Sequence, residues 1–241
     1  MKVIVEKNYD ELSKRAASLL EEEIRNNPEL VLGLATGSTP VGTYEELIRA
    51  HRERGLDFSK VSTFNLDEYI GLDGEHPNSY RYFMNEKLFD HININKEKTY
   101  VPNGKAQNPI DYCAEYDGDI ERAGGIDIQI LGIGTNGHIA FNEPADELSV
   151  GTSVVQLTKS TIEDNSRFFD SMDEVPKTAI SMGIGSILKA RKIILLASGK
   201  NKAPIMQKLL KENVISTKLP ASLLLLHPDV TVIVDEDAYN I

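Results

Sequence analysis

The stretch LVLGLATGSTPVGTYEELIRA, residues 30–50, decides the fold. Its first six residues form a continuous apolar run without alternation, the pattern of a strand buried on both faces. A turn of small polar residues follows, and Thr39 at the cap with Pro40 in the first turn opens an amphipathic helix. This strand, loop and helix unit recurs: VSTFNL (61–66) precedes NSYRYFMNEKLF (78–89), IDIQIL (126–131) precedes GIGTNGHIAFNEP (132–144), and KIILLA (192–197) precedes SGKNKA and PIMQKLLK (198–211). VTVIVD (230–235) reads as the last strand. Ahead of the opening stretch, residues 2–6 read as a strand. Asn8 then caps a helix with Glu11 in the capping-box position and Leu12, Ala16, Leu19 and Leu20 on its apolar face. The rhythm predicts a three-layer α/β/α, Rossmann-like domain with an open, mostly parallel sheet. No repeat or Gly/Ser-rich linker interrupts residues 1–241, so we expect a single domain, with the polar stretch 146–177 as an insertion.

The 241 residues can bury one sizeable core, and 41% apolar with 26% charged residues is ordinary globular composition. Twenty-six basic against 37 acidic residues give a net charge of −11, with no basic cluster to track a phosphate backbone, which argues against nucleic acid. A small anion remains compatible, because a few cations converging on one cleft outweigh a diffuse negative charge locally. Cys113 is the only cysteine, which excludes an internal disulfide and a thiolate metal site and fits a reducing cytoplasm. It reads as a small buried hydrophobe. The start MKVIVEKNYDELS is expected to be neither a secretory signal nor a membrane span.

In open parallel sheets the ligand sits beyond the carboxyl ends of the strands, so the loops there carry the candidates. Thr36, Gly37, Ser38 and Thr39 place hydroxyls and backbone N–H groups ahead of a helix, as a phosphate requires, although a plain capped turn would read alike. The loop lacks the Gly-Lys-Ser/Thr ending of a nucleotide P-loop. GIGTNG formally matches the dinucleotide pattern, but Pro144 follows too soon for the long helix that pattern needs, and no acidic residue stands near Leu157. His138 and Glu143 lie five residues apart in a loop bounded by Gly137 and Pro144. An imidazole held by a carboxylate can carry protons to and from a sugar ring oxygen and its anomeric hydroxyl; a satisfied structural histidine is the alternative. Too few imidazoles or thiols stand nearby for a metal. Of Asp67 and Glu68, at least one carboxylate is expected to face the cleft as a desolvated base. Arg167 and Lys202 are the candidate cations.

Taken together, ATGSTP (35–40), FNLDEYIGL (64–72) with HPNSYRYFM (76–84), GHIAFNEP (137–144), NSRFFD (165–170) and GKNKA (199–203) resemble the glucosamine-6-phosphate deaminases over nearly the whole chain. The resemblance implies conversion of glucosamine 6-phosphate and water to fructose 6-phosphate and ammonia, without metal or other cofactor. It implies ring opening by His138 supported by Glu143 and Asn136, and proton transfer between C2 and C1 by Asp67. Glu68 would join the substrate-binding residues, with Thr36, Gly37, Ser38, Thr39, Arg167 and Lys202 around the phosphate. It also implies that residues 152–176 form a mobile lid that brings Arg167 to the phosphate.

Asn136 stands where larger relatives carry Asp, and it keeps hydrogen bonding while losing the charge. Ser153 and Val155 stand where hexameric relatives carry basic residues for an N-acetylglucosamine 6-phosphate activator, and the extension those relatives carry after the last strand has no counterpart here. These departures predict a form active without activator and monomeric. Two other readings are a 6-phosphogluconolactonase-like hydrolase, which shares the phosphate loop and a G-H-x-A sequence, and a non-catalytic sugar-phosphate sensor. FNEP and the DEY segment favour the deaminase over the first. The second needs a DNA-binding module, for which there is no room before the first strand.

Overall fold

The computed structural model describes residues 1–166, 169 and 171–240. Its centre is a seven-stranded sheet. From edge to edge run β1 (Lys2–Glu6), β10 (Val230–Asp235), β9 (Lys192–Ala197), β6 (Ile128–Gly132), β2 (Val31–Leu34), β3 (Ser62–Asn65) and β5 (Thr99–Tyr100). Every pairing in it is parallel. Helices cover both faces, which is why the inner strand β2 and residues 193–197 of β9 read as unbroken apolar runs. Along β9, Ile193, Leu195 and Ala197 enter one core, with Tyr116 and Ile120 of α4 (Pro109–Arg122), Ile184 of α6 (Ile184–Leu188), Met206 of α7 (Ala203–Lys211) and Ala238 of α8 (Glu236–Tyr239). The alternate residues Ile194 and Leu196 enter the other, with Leu12 and Leu20 of α1 (Tyr9–Asn26), Leu47 of α2 (Val41–Arg54) and Met84 of α3 (Tyr80–Lys87).

From β2 the chain winds outward through β3 to β5, then returns to β6 on the other side of β2 and proceeds to β9 and β10. The winding reverses between β2 and β6, and the crevice beyond their carboxyl ends is where a ligand is expected.

The sequence reading is corrected in two places. Asp67 and Glu68 do not lie in a loop beyond the strand end: Asp67–Tyr69 is a separate strand, β4, in a second, three-stranded sheet. There it runs antiparallel to β8 (Thr178–Ser181), which also pairs with β7 (Ser153–Gln156). The stretch 146–177 therefore contributes β7 to this small sheet, and with it α5 (Lys159–Asn165). Leu157, Tyr69, Phe141 and Ala179 form a third apolar cluster, on which Ile162 of α5 and Phe169 pack. The second correction concerns Thr39, which does not cap α2: the cap position is Pro40, with no side-chain hydrogen bond. No helix among the described residues is long and apolar enough to cross a membrane.

Candidate active site

A cleft of about 630 Å³ opens at the carboxyl ends of β2 and β6, and residues 36–39, Asp67, His138, Thr161 and Lys202 line it. Thr36, Gly37, Ser38 and Thr39 thus meet Lys202 across one cavity, although Lys202 comes 163 positions after Thr39 in the chain. Gly37 has φ +91°, which a side chain would strain. The loop is braced from behind by Tyr9, whose hydroxyl lies 3.0 Å from the Ser38 carbonyl and 3.1 Å from that of Thr39 and accepts from Gly42 N–H at 2.8 Å. Since Thr39 is not spent on a cap, its hydroxyl is available to a ligand.

Asp67 and Glu68 turn opposite ways, as successive residues of a strand must. Asp67 lines the cleft and is only 6% exposed. Burial first, and the charge of Glu68 second, push its carboxyl up from 3.8 to about 8. Glu68, expected to bind substrate, is not among the residues that line the cleft. Its Oε1 accepts from the N–H groups of Tyr69 and Tyr80, both at 2.9 Å, and its Oε2 from Arg81 N–H at 3.0 Å. It therefore serves the open N–H groups and positive dipole end of α3. Burial raises the Glu68 carboxyl too, with those three N–H donors pulling against it.

The turn after β6 builds the histidine site. No helix follows Gly137 directly, and within GIGTNG it is Gly134 that lies against the His138 ring. Gly137 takes φ +90°, and the Gly134 N–H donates to the His138 carbonyl at 2.9 Å. Asn136 Oδ1 accepts from the His138 N–H at 3.1 Å while its Nδ2 donates to Glu143 Oε2 at 2.6 Å. That same Oε2 stands 3.4 Å from His138 Nδ1, an ion-pair distance rather than a hydrogen bond. Glu143 Oε1 accepts from the Thr161 hydroxyl. Burial alone would raise the Glu143 carboxyl, but His138, Thr161 and Asn136 together overcome it and bring it down to about 2. The loop is pinned from below: Asn142 Nδ2 donates to the carbonyls of Ile139 and Met182 at 3.1 and 2.8 Å, and Phe141 N–H to Ser181 Oγ at 3.1 Å.

Lys202 follows Gly199 in a short 3-10 turn whose base is fixed by Asp235 at the end of β10. Asp235 accepts from Ser198 Oγ at 2.5 Å and from the N–H groups of Gly199 at 3.0 Å and Ala238 at 2.8 Å. Arg167 lies outside the described residues. Tyr9, Asp235, Ser181 and Thr161 escaped the sequence reading because each acts through a partner distant in the chain. Among the described residues no three His, Cys, Asp or Glu side chains gather as a metal site would need.

The family model described as glucosamine-6-phosphate isomerases/6-phosphogluconolactonase matches residues 5–233. A glucosamine-6-phosphate deaminase of Clostridium perfringens (strain SM101 / Type A) is 58% identical over 238 residues, 99% of this chain and 98% of its own. The solved structure of a monomeric glucosamine-6-phosphate deaminase, described as a missing link of the NagB superfamily, superimposes with a TM-score of 0.97 at 47% identity, covering 100% of this chain and 99% of that one. A 6-phosphogluconolactonase from Trypanosoma cruzi reaches a TM-score of 0.76 at 22% identity, covering 99% and 96%, a likeness of fold alone.

Proposed function

The chain belongs to the glucosamine-6-phosphate isomerase and 6-phosphogluconolactonase family, and we propose that within it this protein is a glucosamine-6-phosphate deaminase. The observation that carries this reading is the pairing, in one cleft, of a buried carboxylate of raised basicity, Asp67, with an imidazole held by an ionised one, His138 with Glu143. The full-length likeness to deaminases of that name supports it.

The phosphate end of the substrate would be held by Thr36, Gly37, Ser38 and Thr39 with Lys202, and the family resemblance adds Arg167. Anchoring the remote end orients the reacting carbons. His138 takes the proton of the anomeric hydroxyl and delivers one to the ring oxygen, which frees the aldehyde. Glu143 steadies the positive charge on the imidazole during that transfer, and Asn136 holds Glu143. Asp67 then removes the C2 proton, which the neighbouring carbonyl has made acidic, leaving an enolamine. Returning the proton to C1 gives the C2 imine of the ketose. Water adds to C2, the carbon–nitrogen bond breaks, and ammonia leaves with fructose 6-phosphate behind. A carboxylate whose proton affinity is raised by burial is a stronger base for the C2 step than a solvated one.

We further propose that residues 152–176 act as a lid over this cleft, that the chain works as a monomer without an activator, and that it resides in the cytoplasm. Its likeness to a deaminase described as monomeric supports the oligomeric state, and a single cysteine supports the compartment.

Incubation with glucosamine 6-phosphate, following ammonia and fructose 6-phosphate together, tests the activity. Equal release of both, abolished by Asp67→Asn, is the expected result. Turnover of 6-phosphogluconolactone in place of the amino sugar would overturn the reading.

A further inference from the structure

Glu143 is gripped from two directions. Asn136, seven residues away in the same turn, donates to Oε2 at 2.6 Å. Thr161, on the first turn of α5 and from the stretch that packs over the cleft, donates to Oε1. The proton's direction follows from the neighbours: Thr158 Oγ1 lies 3.1 Å from Thr161 Oγ1 and can give it a proton, whereas an ionised carboxylate only accepts. Thr161 is 4% exposed yet lines the cleft, so one side chain touches both the cavity and the carboxylate. His138 Nδ1 is buried with no hydrogen bond at normal length among the described residues; its nearest acidic oxygen is Glu143 Oε2 at 3.4 Å. The imidazole therefore depends on where the carboxylate is held, and the carboxylate depends on α5. The helix is seated by apolar contact, Ile162 and Phe169 packing on the cluster of Tyr69, Phe141 and Leu157, with the Phe169 ring edge-on to Tyr69 at 5.9 Å.

We propose that Thr161 is a positioning residue for ring opening: by completing the acceptor set of Glu143 from α5, it makes the alignment of His138 conditional on α5 being seated over the cleft. The proposal rests on the deaminase reading above. Proton transfer to the ring oxygen is then timed to closure, when water is excluded and the phosphate is held. A hydroxyl bonded to an ionised carboxylate is among the stronger hydrogen bonds, so its loss is measurable.

Thr161→Val tests this in the full-length protein. It keeps the shape and keeps the backbone N–H that Thr158 caps, so α5 retains its cap. Turnover of glucosamine 6-phosphate is expected to fall about tenfold or more in kcat. Thr161→Ser, which restores the hydroxyl, is expected to stay within about threefold of the parent. Binding of 2-amino-2-deoxyglucitol 6-phosphate, an open-chain analogue with no ring to open, is expected to change less than about threefold in Thr161→Val. Should Thr161→Val misfold, Thr161→Ala with the same three readouts replaces it. A kcat within about twofold of the parent overturns the proposal, as does a Ser variant no better than Val, or an equal loss of alditol binding, which would mean that α5 had come loose. An inactive parent enzyme would instead remove the deaminase reading and this proposal with it.

Discussion

Gly134 lies against the ring of His138 so closely that a Cβ there would stand 2.3 Å from Cε1 and 2.4 Å from Nδ1 of the imidazole. The glycine is required for the position of the His138 ring rather than for backbone freedom. Gly134→Ala is expected to push the ring away from Glu143 and the cleft, lowering kcat by about 100-fold, as small misplacements of a reacting group do. Steady-state kinetics beside a thermal melt separates this from unfolding; an Ala variant with parental kcat would show that the ring has room elsewhere.

In the proposed mechanism Asp67 is a base only when ionised, so its raised proton affinity moves the acid limb of the rate profile. kcat/KM is expected to climb as pH rises toward about 8, the value to which burial pushes this carboxyl, instead of levelling off near 4. A profile already flat from pH 5 upward would contradict it.

The same burial makes Asp67 costly to stability. Folded, it binds a proton between its ordinary 3.8 and about 8 that the unfolded chain releases. Its favourable contribution is complete below 3.8 and is lost as pH rises through that window. Asp67→Asn is therefore expected to melt above the parent at pH 9 by at least about 2 °C, with the gap shrinking toward pH 5. Melts at both pH values check it, and a gap independent of pH would remove the titration from the account.

Glu143 behaves in the opposite sense. Its carboxyl is lowered from 4.5 to about 2, so the stability it contributes is present above 4.5 and lost as pH falls toward 2. Glu143→Gln has one acceptor oxygen where two donors, Asn136 Nδ2 and the Thr161 hydroxyl, each need one. Flipping the Asn136 amide would relieve one conflict but turn its amino group toward the His138 N–H, which now meets an oxygen. The variant is expected to lose about 1–3 kcal/mol at pH 7 in urea unfolding, and to lose less relative to the parent near pH 3.

Asp235 holds the turn that carries Lys202 through Ser198 and Gly199. Asp235→Ala is expected to raise KM for glucosamine 6-phosphate and the inhibition constant of inorganic phosphate several-fold, with a smaller effect on kcat, because the loosened Lys202 is proposed to hold the substrate's remote end. Equal loss in kcat would assign Lys202 to the chemistry instead.

The layering was legible in the sequence wherever local pattern and tertiary burial agree. The runs 30–35 and 193–197 are apolar throughout because both their faces are covered, and Asn8 caps α1 through its bond to the Glu11 N–H at 3.0 Å. Legibility failed where a residue's partner lies far along the chain. Asp67 and Glu68 look alike as letters, and only the pleat of β4 sends one to the cleft and the other to the amide groups of α3. Thr39 has the right residue type for a cap, and what it does instead depends on Tyr9 arriving from α1 to hold the loop.

By itself, the sequence determined the alternation of strand and helix, the parallel sheet that follows from it, and the loops in which polar residues gather, because these depend on propensities and periodicities within a few residues. The tertiary structure alone decided the second sheet, the grip of Asp235 on the Lys202 turn, and the seating of Thr161 on Glu143. Burial, which raises the proton affinity of Asp67, and the contacts of His138, Thr161 and Asn136, which keep Glu143 ionised against its own burial, are properties of the packed molecule and have no value until distant segments meet.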